Sequence, residues 1–159
     1  MVLSIIICTY NREKFLKKCL TSIINQLNIR KDSSLIEILI IDNNSQDQTK
    51  TLIKQIQESS SLQINYFIEN QQGLSYARNR GINESIGAYL AFVDDDATVL
   101  PLWIESLMNG IKDIKADVYG GPIFPNYEIT CPSWIDKNYF IRKFKTKDGY
   151  LNIILKREG

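Results

Sequence analysis

Short apolar runs alternate along the chain with longer segments in which apolar residues recur every three or four positions. The runs, which are typical of buried strands, cover residues 2–8, 35–41, 62–68 and 89–93. The periodic segments, which predict amphipathic helices, cover residues 12–26, 46–59, 72–86 and 100–114, the last entered through Pro101. This alternation predicts an α/β fold, a three-layer α/β/α sandwich around a mainly parallel sheet.

The pattern changes after the fourth predicted helix. Residues 116–119 predict a short fifth strand, and residues 151–155 predict another. Between them, Gly and Pro interrupt the chain, and aromatic side chains such as Tyr127, Trp134 and Tyr139 are frequent. We therefore interpret residues 1–125 as an α/β domain. Residues 126–159 form an irregular aromatic and basic extension that covers the sheet or begins another lobe.

The absence of histidine excludes several kinds of active site. Among 159 residues there are 19 Lys and Arg, 18 Asp and Glu, and no His. A Ser-His-Asp triad, a Cys-His pair and an HExxH zinc site are therefore excluded. The formal net charge of +1 gives no sign of a nucleic-acid partner. Any catalysis has to use carboxylates, Lys, Tyr, Arg, a thiol or a metal held by oxygen ligands.

The three cysteines favour a reducing compartment. Cys8 lies in the first apolar run and Cys19 in the first periodic segment, so we expect both to be buried in the core. With Cys131 they make an odd number without CxxC spacing, which gives no support for a zinc or redox motif. The apolar stretches fall short of the ~20 residues that span a bilayer. We expect a cytoplasmic protein, with membrane association only through a segment outside this sequence.

Polar residues follow each predicted strand at its carboxyl end, where ligands bind in parallel α/β sheets. The first strand leads into residues 9–12 and the second into residues 42–45. The third leads into a polar loop and a helix that carries Arg78 and Arg80. The fourth ends at three consecutive aspartates, residues 94–96. Because these loops share one edge of the sheet, they predict a single site.

The three consecutive aspartates are the strongest indication of chemistry. Adjacent carboxylates repel one another unless a cation or hydrogen-bond donors offset their charge. Alternate residues of an extended segment point the same way, so we expect Asp94 and Asp96 to converge while Asp95 faces elsewhere. Without His or paired Cys, the implied metal is a hard cation, Mg²⁺ or Mn²⁺. The alternative is a solvated acidic turn that caps the next helix through Asp96 or Thr98.

Four motifs in order carry a resemblance to a known family. The P-loop and the GxGxxG sequence after the first strand are absent. Instead the chain has SIIICTYNR at residues 4–12, IIDNNS at 40–45, GLSYARNRG at 73–81 and AFVDDD at 91–96. Together they resemble a family 2 glycosyltransferase. The resemblance implies an inverting enzyme of the GT-A fold with a nucleotide-diphospho-sugar donor, a divalent cation and a glycan or lipid-linked acceptor, acting in the cytoplasm or at the inner face of the membrane.

The resemblance also implies roles for residues outside the acidic triplet. Thr9 and Tyr10 match nucleotide-contacting positions, with Tyr10 beside the base, and we assign Arg12 to donor binding with them. Asp42 matches the carboxylate that binds the base, usually uracil, and Arg78 matches an arginine near the phosphates. The alternatives are that Tyr10 packs in the core, that Arg78 is an exposed helix charge, and that Asp42 is only a helix cap.

Within the triplet, Asp94 and Asp96 match the DxD motif of the family. The resemblance implies that Asp96 binds the metal and that Asp94 lies near the ribose or a metal-bound water. Asp95 fills the variable middle position and is assigned to donor binding. Residues 1–125 are then the nucleotide-sugar-binding domain, and residues 126–159 begin an acceptor-side segment.

A general base cannot be named from this sequence. The acids after the triplet form no paired motif, and they are Asp113, Asp117, Glu128, Asp136, Asp148 and Glu158. We therefore expect a truncated donor half that transfers sugar poorly by itself. One alternative is a nucleotide-sugar-binding module that needs a missing segment or partner. A more remote one is a phosphatase, since residues 94–98 match the DxDx[TV] signature of haloacid dehalogenase-like enzymes.

Overall fold

The computed structural model describes residues 1–113, 117–118, 120–124, 130 and 133–134, together with the backbone of three short strands farther along. The long strands are β1 (Leu3–Thr9), β2 (Ile36–Asp42), β3 (Gln63–Ile68) and β4 (Tyr89–Asp94). The helices are α1 (Glu13–Leu27), α2 (Thr49–Ser59), α3 (Leu74–Glu84) and α4 (Trp103–Asp113), with a 3₁₀ turn at Ser33–Leu35. The short strands are β5 (Lys145–Thr146), β6 (Gly149–Tyr150) and β7 (Ile154–Lys156).

The long strands form one parallel sheet whose carboxyl ends lie at a common edge. The strand order is β3-β2-β1-β4-β7, with β7 antiparallel to β4, while β5 and β6 pair separately. Thr9 is in register with Asp42, and Cys8 is in register with Asp94. The ends of β1, β2 and β4 are therefore neighbours, as the sequence predicts.

Helices cover both faces of the sheet, which confirms the three-layer α/β/α architecture. Ile5 and Ile7 of β1 pack in one buried cluster with residues of α1, α2 and α4. Ile6, from the alternate position, packs in a second cluster with Ala77 of α3. Every position of β2 is buried, which is why its sequence is mostly apolar rather than alternating, with charged residues only at Glu37 and at the last position, Asp42.

The start of α4 differs from the prediction. The helix begins at Trp103 rather than at residue 100, and Pro101 precedes it in a turn. Leu102 has a φ of 64°, a left-handed conformation that a helix interior does not accept. The segment before it is held against α1, because Val99 N donates to Ser22 Oγ at 3.1 Å and Gln26 Nε2 donates to Leu100 O at 2.9 Å.

The later predicted strands are only partly within the described residues. Of residues 116–119, Val118 forms an isolated bridge, while residues 116 and 119 lie outside the described part. The strand predicted at residues 151–155 is observed as β7, and residues 151–153 lie outside. Most of the predicted extension, residues 126–159, also lies outside, including Cys131, Tyr127 and Tyr139.

Cys19 is fully buried as predicted, whereas Cys8 is only partly buried, so the prediction that both cysteines are buried in the core is wrong for Cys8. Burial raises the pKa of the Cys8 thiol to about 11 and that of Cys19 to about 12, so both stay protonated at neutral pH. Within the described residues, no helix combines the length and apolar character needed to cross a membrane.

Candidate functional site

Backbone hydrogen bonds join the loops at the carboxyl edge of the sheet. Asn43 N donates to Thr9 O at 2.9 Å, which joins the ends of β2 and β1. Glu69 N donates to Asp42 O at 2.8 Å, which joins the loop after β3 to the end of β2. The sequence-predicted residues of these loops therefore lie along one continuous edge.

Asp95 lies at the centre of a charged cluster on the side of the sheet that carries α1. Its Oδ2 accepts a hydrogen bond from Thr9 Oγ1 at 2.8 Å, and its Oδ1 lies 3.3 Å from Arg12 Nη1. The same Arg12 nitrogen donates to Asp96 Oδ2 at 2.9 Å. Asp95 is only 6% exposed. Three of the predicted donor-binding residues, together with the predicted metal ligand Asp96, thus form one connected group.

Burial and charge act in opposite directions on this group. Burial raises the pKa of the Asp95 carboxyl, while the hydrogen bond from Thr9 and the charge of Arg12 oppose that rise. The charge of Asp95 in turn raises the pKa of Arg12. Arg12 therefore stabilises a carboxylate that the surrounding protein would otherwise hold protonated to higher pH.

The prediction that the three aspartates are extended, with Asp94 and Asp96 converging, is wrong. β4 ends at Asp94, and a turn follows in which Ala97 N donates to Asp94 O at 3.0 Å. Strand alternation therefore does not extend to Asp95 and Asp96, which share Arg12 instead. The middle aspartate, which occupies the variable position of the motif, is the most enclosed of the three. The alternative of a helix cap through Asp96 or Thr98 is also wrong, because α4 begins at Trp103, which is seven positions after Asp96 and five after Thr98.

Asp94 lies on the other side of the sheet edge, with α3. Its Oδ1 is 3.5 Å from Nη2 of Arg78, and both side chains are substantially exposed. Arg78 is thus directed at the acidic triplet, which disfavours the alternative of an isolated helix charge. Arg80 is directed away from it, since its Nη2 pairs with Glu84 at 2.9 Å.

Asp42 is buried and is bonded to its own chain through both carboxylate oxygens. Its Oδ1 accepts from Ser45 N at 2.8 Å, and its Oδ2 accepts from the hydroxyl of Tyr66 on β3. Asp42 is 2% exposed. The alternative that it only caps a helix is wrong, because α2 begins at Thr49, whose N–H is bonded to Asp47 at 3.0 Å.

Tyr10 is 47% exposed at the end of β1, so its ring does not pack in the core. The next residue, Asn11, has a φ of 53°, a left-handed conformation that asparagine tolerates. Asn11 N donates to Ser45 Oγ at 2.9 Å, and Gln46 N donates to Asn11 Oδ1 at 2.7 Å. These bonds fix the loop that carries Tyr10 against the loop after Asp42.

Two polar residues that sequence reasoning missed hold the edge together. Asn43 Nδ2 donates to Glu69 O and Gln71 O at 3.0 and 2.8 Å, and its Oδ1 accepts from Gly73 N at 2.8 Å. Asp47 Oδ2 accepts from Glu13 N at 3.0 Å and so caps α1 from another loop. Asn43 stands inside the IIDNNS motif, which was the available signal, whereas nothing in the sequence links Asp47 to residue 13.

The carboxylate oxygens of the triplet suit a hard divalent cation, although the described residues contain no preformed metal site. No group of three or more His, Cys, Asp or Glu side chains in that part of the chain is arranged to hold a metal ion. Asp95 and Asp96 already share one cationic group, Arg12. Mg²⁺ commonly uses only one or two carboxylates together with substrate phosphates. Asp95 and Asp96 are compatible with that mode of binding, whereas Asp94 contacts Arg78 on the other side of the sheet edge.

Comparison with known proteins decides the family. A family model described as Glycosyl transferase family 2 matches residues 4–156. The chain belongs to glycosyltransferase family 2. Glycosyltransferase AglE of Haloferax volcanii is 38% identical over 132 residues, which cover 82% of this chain and 40% of that protein. The resemblance stated from four motifs is therefore confirmed.

A second relative in this family has a more specific name. It is the GalNAc(5)-diNAcBac-PP-undecaprenol beta-1,3-glucosyltransferase of Campylobacter jejuni, 33% identical over 120 residues, covering 74% of this chain and 37% of that protein. The chain spans about two fifths of the length of these two relatives.

Solved structures show the same fold. TarS 1-349 of S. aureus aligns with a TM-score of 0.66 at 24% identity, covering 74% of this chain and 34% of that one. The mannosyltransferase PcManGT of Pyrobaculum calidifontis, in complex with GDP-Man and Mn²⁺, aligns with a TM-score of 0.63 at 22% identity, covering 77% and 35%. The predicted GT-A fold is thereby confirmed.

Proposed function

We propose that this family 2 chain binds a nucleotide-diphospho-sugar at the carboxyl edge of its sheet and transfers the sugar with inversion to an acceptor hydroxyl. The observation that carries the proposal is the connected group of Thr9, Arg12, Asp95 and Asp96. It joins the end of β1 to the end of β4 at the edge where ligands bind in parallel α/β sheets. Such a group offers carboxylate oxygens and a guanidinium at adjacent points.

In this proposal the base of the donor nucleotide lies toward Asp42 and the exposed ring of Tyr10. Asp42 offers a buried carboxylate whose orientation its own chain fixes, and Tyr10 offers an exposed aromatic face for stacking. We favour uridine diphosphate because the family usually pairs this carboxylate with uracil. TarS has been solved with UDP and with UDP-GlcNAc, which supports a uridine donor, whereas PcManGT was solved with GDP-Man.

The diphosphate lies toward the acidic triplet and its arginines. A divalent cation, Mn²⁺ or Mg²⁺, bound through Asp96 would act as a Lewis acid on the departing diphosphate. Asp94, the other predicted metal ligand, contacts Arg78 on the other side of the sheet edge, and we assign it to the ribose or to a metal-bound water. Asp95 contributes to donor binding indirectly, because its contacts hold Thr9 and Arg12 in place. Arg78, half-exposed beside Asp94, supplies positive charge to the phosphates.

The acceptor side of the proposal requires a general base. Inversion needs such a base for the acceptor hydroxyl, and a carboxylate can serve. Among the candidate acids, Asp113 and Asp117 are exposed, and Glu128, Asp136, Asp148 and Glu158 lie outside the described residues. We propose a glycan or lipid-linked acceptor, which the name of the Campylobacter jejuni relative supports, and a cytoplasmic location facing the membrane.

A second candidate is a nucleotide-sugar-binding module that needs another segment to transfer sugar. It differs from the first in taking its general base from elsewhere, and the described candidate acids, Asp113 and Asp117, are exposed. Rapid transfer by this chain to a defined acceptor would exclude it. The phosphatase alternative is not retained, since the chain belongs to a different family.

Calorimetric titration of UDP and GDP, with and without Mn²⁺, tests the donor site. We expect UDP to bind only with Mn²⁺, and Asp96→Ala and Asp42→Ala each to weaken binding by about tenfold or more, because each removes a charged hydrogen-bonding or metal-binding group. Asp113→Ala, an exposed aspartate of α4, is the matched control and should leave the affinity unchanged. Undetectable binding at millimolar UDP, or affinity untouched by both site variants, would refute the assignment.

A further inference from the structure

Tyr66 of β3 contacts the carboxylate of Asp42, the residue assigned to binding the nucleotide base. Its hydroxyl donates to Asp42 Oδ2 from the neighbouring strand, while its ring packs against the main core cluster. Ser45 N donates to the opposite oxygen, Oδ1, at 2.8 Å. The carboxylate of Asp42 is therefore held from both sides by donors of its own chain.

This arrangement determines what a ligand could offer to Asp42. A carboxylate has about four lone-pair sites, and Tyr66 and Ser45 use one on each oxygen. The remaining sites are acceptors, so a matching ligand group has to present an N–H or O–H. Burial, together with the bond to Asp42, raises the pKa of Tyr66. The hydroxyl consequently stays protonated and continues to donate throughout the neutral range.

We propose that Tyr66 is a positioning residue for base recognition, which orients the Asp42 carboxylate toward a base that presents a ring N–H donor, as uracil does. This inference rests on the donor site proposed above. Tyr66 acts through Asp42 and need not touch the donor. Fixing the carboxylate in advance lowers the ordering cost of binding the base. The contribution belongs to the nucleoside end of the ligand and not to its diphosphate.

The test compares Tyr66→Phe with Tyr89→Phe, a matched control at the opposite, amino end of β4. UDP and inorganic pyrophosphate are titrated calorimetrically in the presence of Mn²⁺. We expect Tyr66→Phe to weaken UDP binding roughly two- to tenfold, the range of one net hydrogen bond, and to leave pyrophosphate binding unchanged. The control should change neither affinity. A purely structural role for Tyr66 would reduce both affinities together or neither.

The outcomes separate this inference from the proposed function. Normal UDP binding by the wild type with no loss in Tyr66→Phe, or an equal loss for UDP and pyrophosphate, overturns the role of Tyr66 alone. No UDP binding by the wild type overturns the donor site and this inference with it. Should Tyr66→Phe fail to fold, ultraviolet titration of the tyrosines in wild type and Asp42→Asn replaces it. Removing the Asp42 charge should lower the pKa of Tyr66, and an unchanged titration contradicts the contact.

Discussion

Asp95 bears a carboxylate in a place where the surrounding protein opposes its charge. Its pKa is raised by burial, so between the unfolded and folded pKa values the folded state binds more protons than the unfolded state. The free energy of unfolding therefore falls as the pH rises through that window, and Asp95 lowers stability at neutral pH. A residue that costs stability in this way is typical of a functional site.

Asp95→Asn should accordingly stabilise the fold and weaken the donor site. The amide still accepts from Thr9, and Arg12 keeps Asp96. We expect the melting temperature at pH 7 to rise by about 2–4 °C, as about 1 kcal/mol gives in a domain of this size, and the gain to disappear at acidic pH. Asp96→Asn, at an exposed position, serves as the control with little change in melting temperature. A destabilised Asp95→Asn would contradict this reasoning.

Arg12 contacts both Asp95 and Asp96, the pair of carboxylates proposed to lie beside the metal. One nitrogen lies 3.3 Å from Asp95 Oδ1 and 2.9 Å from Asp96 Oδ2, so a divalent cation competes with a charge already present. We expect Arg12→Gln to bind Mn²⁺ alone roughly two- to fivefold more tightly, the range for an exposed ion pair, as measured by the electron paramagnetic resonance signal of free Mn²⁺.

The matched control for Arg12 is Arg30→Gln. Arg30 pairs with Asp32 at 2.7 Å, away from the carboxyl edge, and its loss should leave Mn²⁺ binding unchanged. UDP binding in the presence of Mn²⁺ should not improve in Arg12→Gln, because the same guanidinium is assigned to the donor. Equal Mn²⁺ affinity in Arg12→Gln and wild type would remove Arg12 as a competitor.

At the level of elements, α3 depends on a close approach to the sheet. A Cβ on Gly81 would lie 2.5 Å from Ile6 Cγ2 and 3.3 Å from Ile41 Cγ1, so the helix packs directly on β1 and β2 at this point. The same helix carries Arg78 to the acidic triplet. Its distance from the sheet therefore sets the position of a proposed phosphate ligand.

Gly81→Ala and Gly110→Ala form a matched pair of helix substitutions. Gly81→Ala should destabilise the fold by about 1–3 kcal/mol through overpacking, despite the higher helix propensity of Ala. A Cβ on Gly110 of α4 would meet no atom within 4 Å, so Gly110→Ala should stabilise by about 0.5–1 kcal/mol. Denaturant unfolding measures both. Changes of the same sign in the two variants would show that packing of α3 does not decide the effect.

The long elements could be predicted because their hydrophobic periods reflect burial directly. All eight predicted strands and helices from β1 to α4 are observed, with boundaries that differ by up to three residues. The start of α4 could not be predicted, since it follows from contacts of residues 99 and 100 with Ser22 and Gln26, far away in sequence. A window of neighbouring residues contains no sign of such contacts.

At the site, too, the sequence pattern predicts which loops meet but not which side chains contact one another. That Thr9, Asp42, Arg78 and the triplet lie at one edge follows from strand polarity, which the alternation of elements predicts. Strand polarity does not predict which of the three aspartates is buried, because the turn after Asp94 ends the alternation of side chains along β4. Tyr66 was overlooked for a similar reason, since a tyrosine in a strand gives no sign of which carboxylate lies on the neighbouring strand.

The whole molecule has two contrasting ends. At the amino end of the sheet, Glu37 of β2 is 0% exposed and accepts from Ser4 Oγ at 2.6 Å, Ile86 N at 2.8 Å and Asn65 Nδ2 at 3.0 Å. Ser4 Oγ in turn accepts from Gly87 N at 2.9 Å. This polar cluster is satisfied internally. At the carboxyl end, by contrast, Tyr10, Asp94 and Asp96 remain exposed.

The contrast predicts that buried carboxylates at the two ends respond differently to neutralisation. Glu37→Gln replaces one acceptor oxygen by an amide donor facing Ser4 or Asn65, so we expect a loss of about 1–3 kcal/mol in the free energy of unfolding, measured in denaturant. UDP affinity of the folded protein should stay at the wild-type value, since Glu37 lies at the far end of the strand from Asp42.

Asp42→Asn provides the opposite pattern for the same type of change. Its carboxylate lies on the same strand as Glu37 and is equally enclosed, so it also loses stability on neutralisation, yet it alone should lose UDP affinity, because an amide nitrogen cannot accept an N–H from the base. Calorimetry at a temperature where both variants are folded separates the two. A loss of UDP affinity in Glu37→Gln as large as that in Asp42→Asn would mean that donor binding reports general loosening of the sheet, and the two ends would not be functionally distinct.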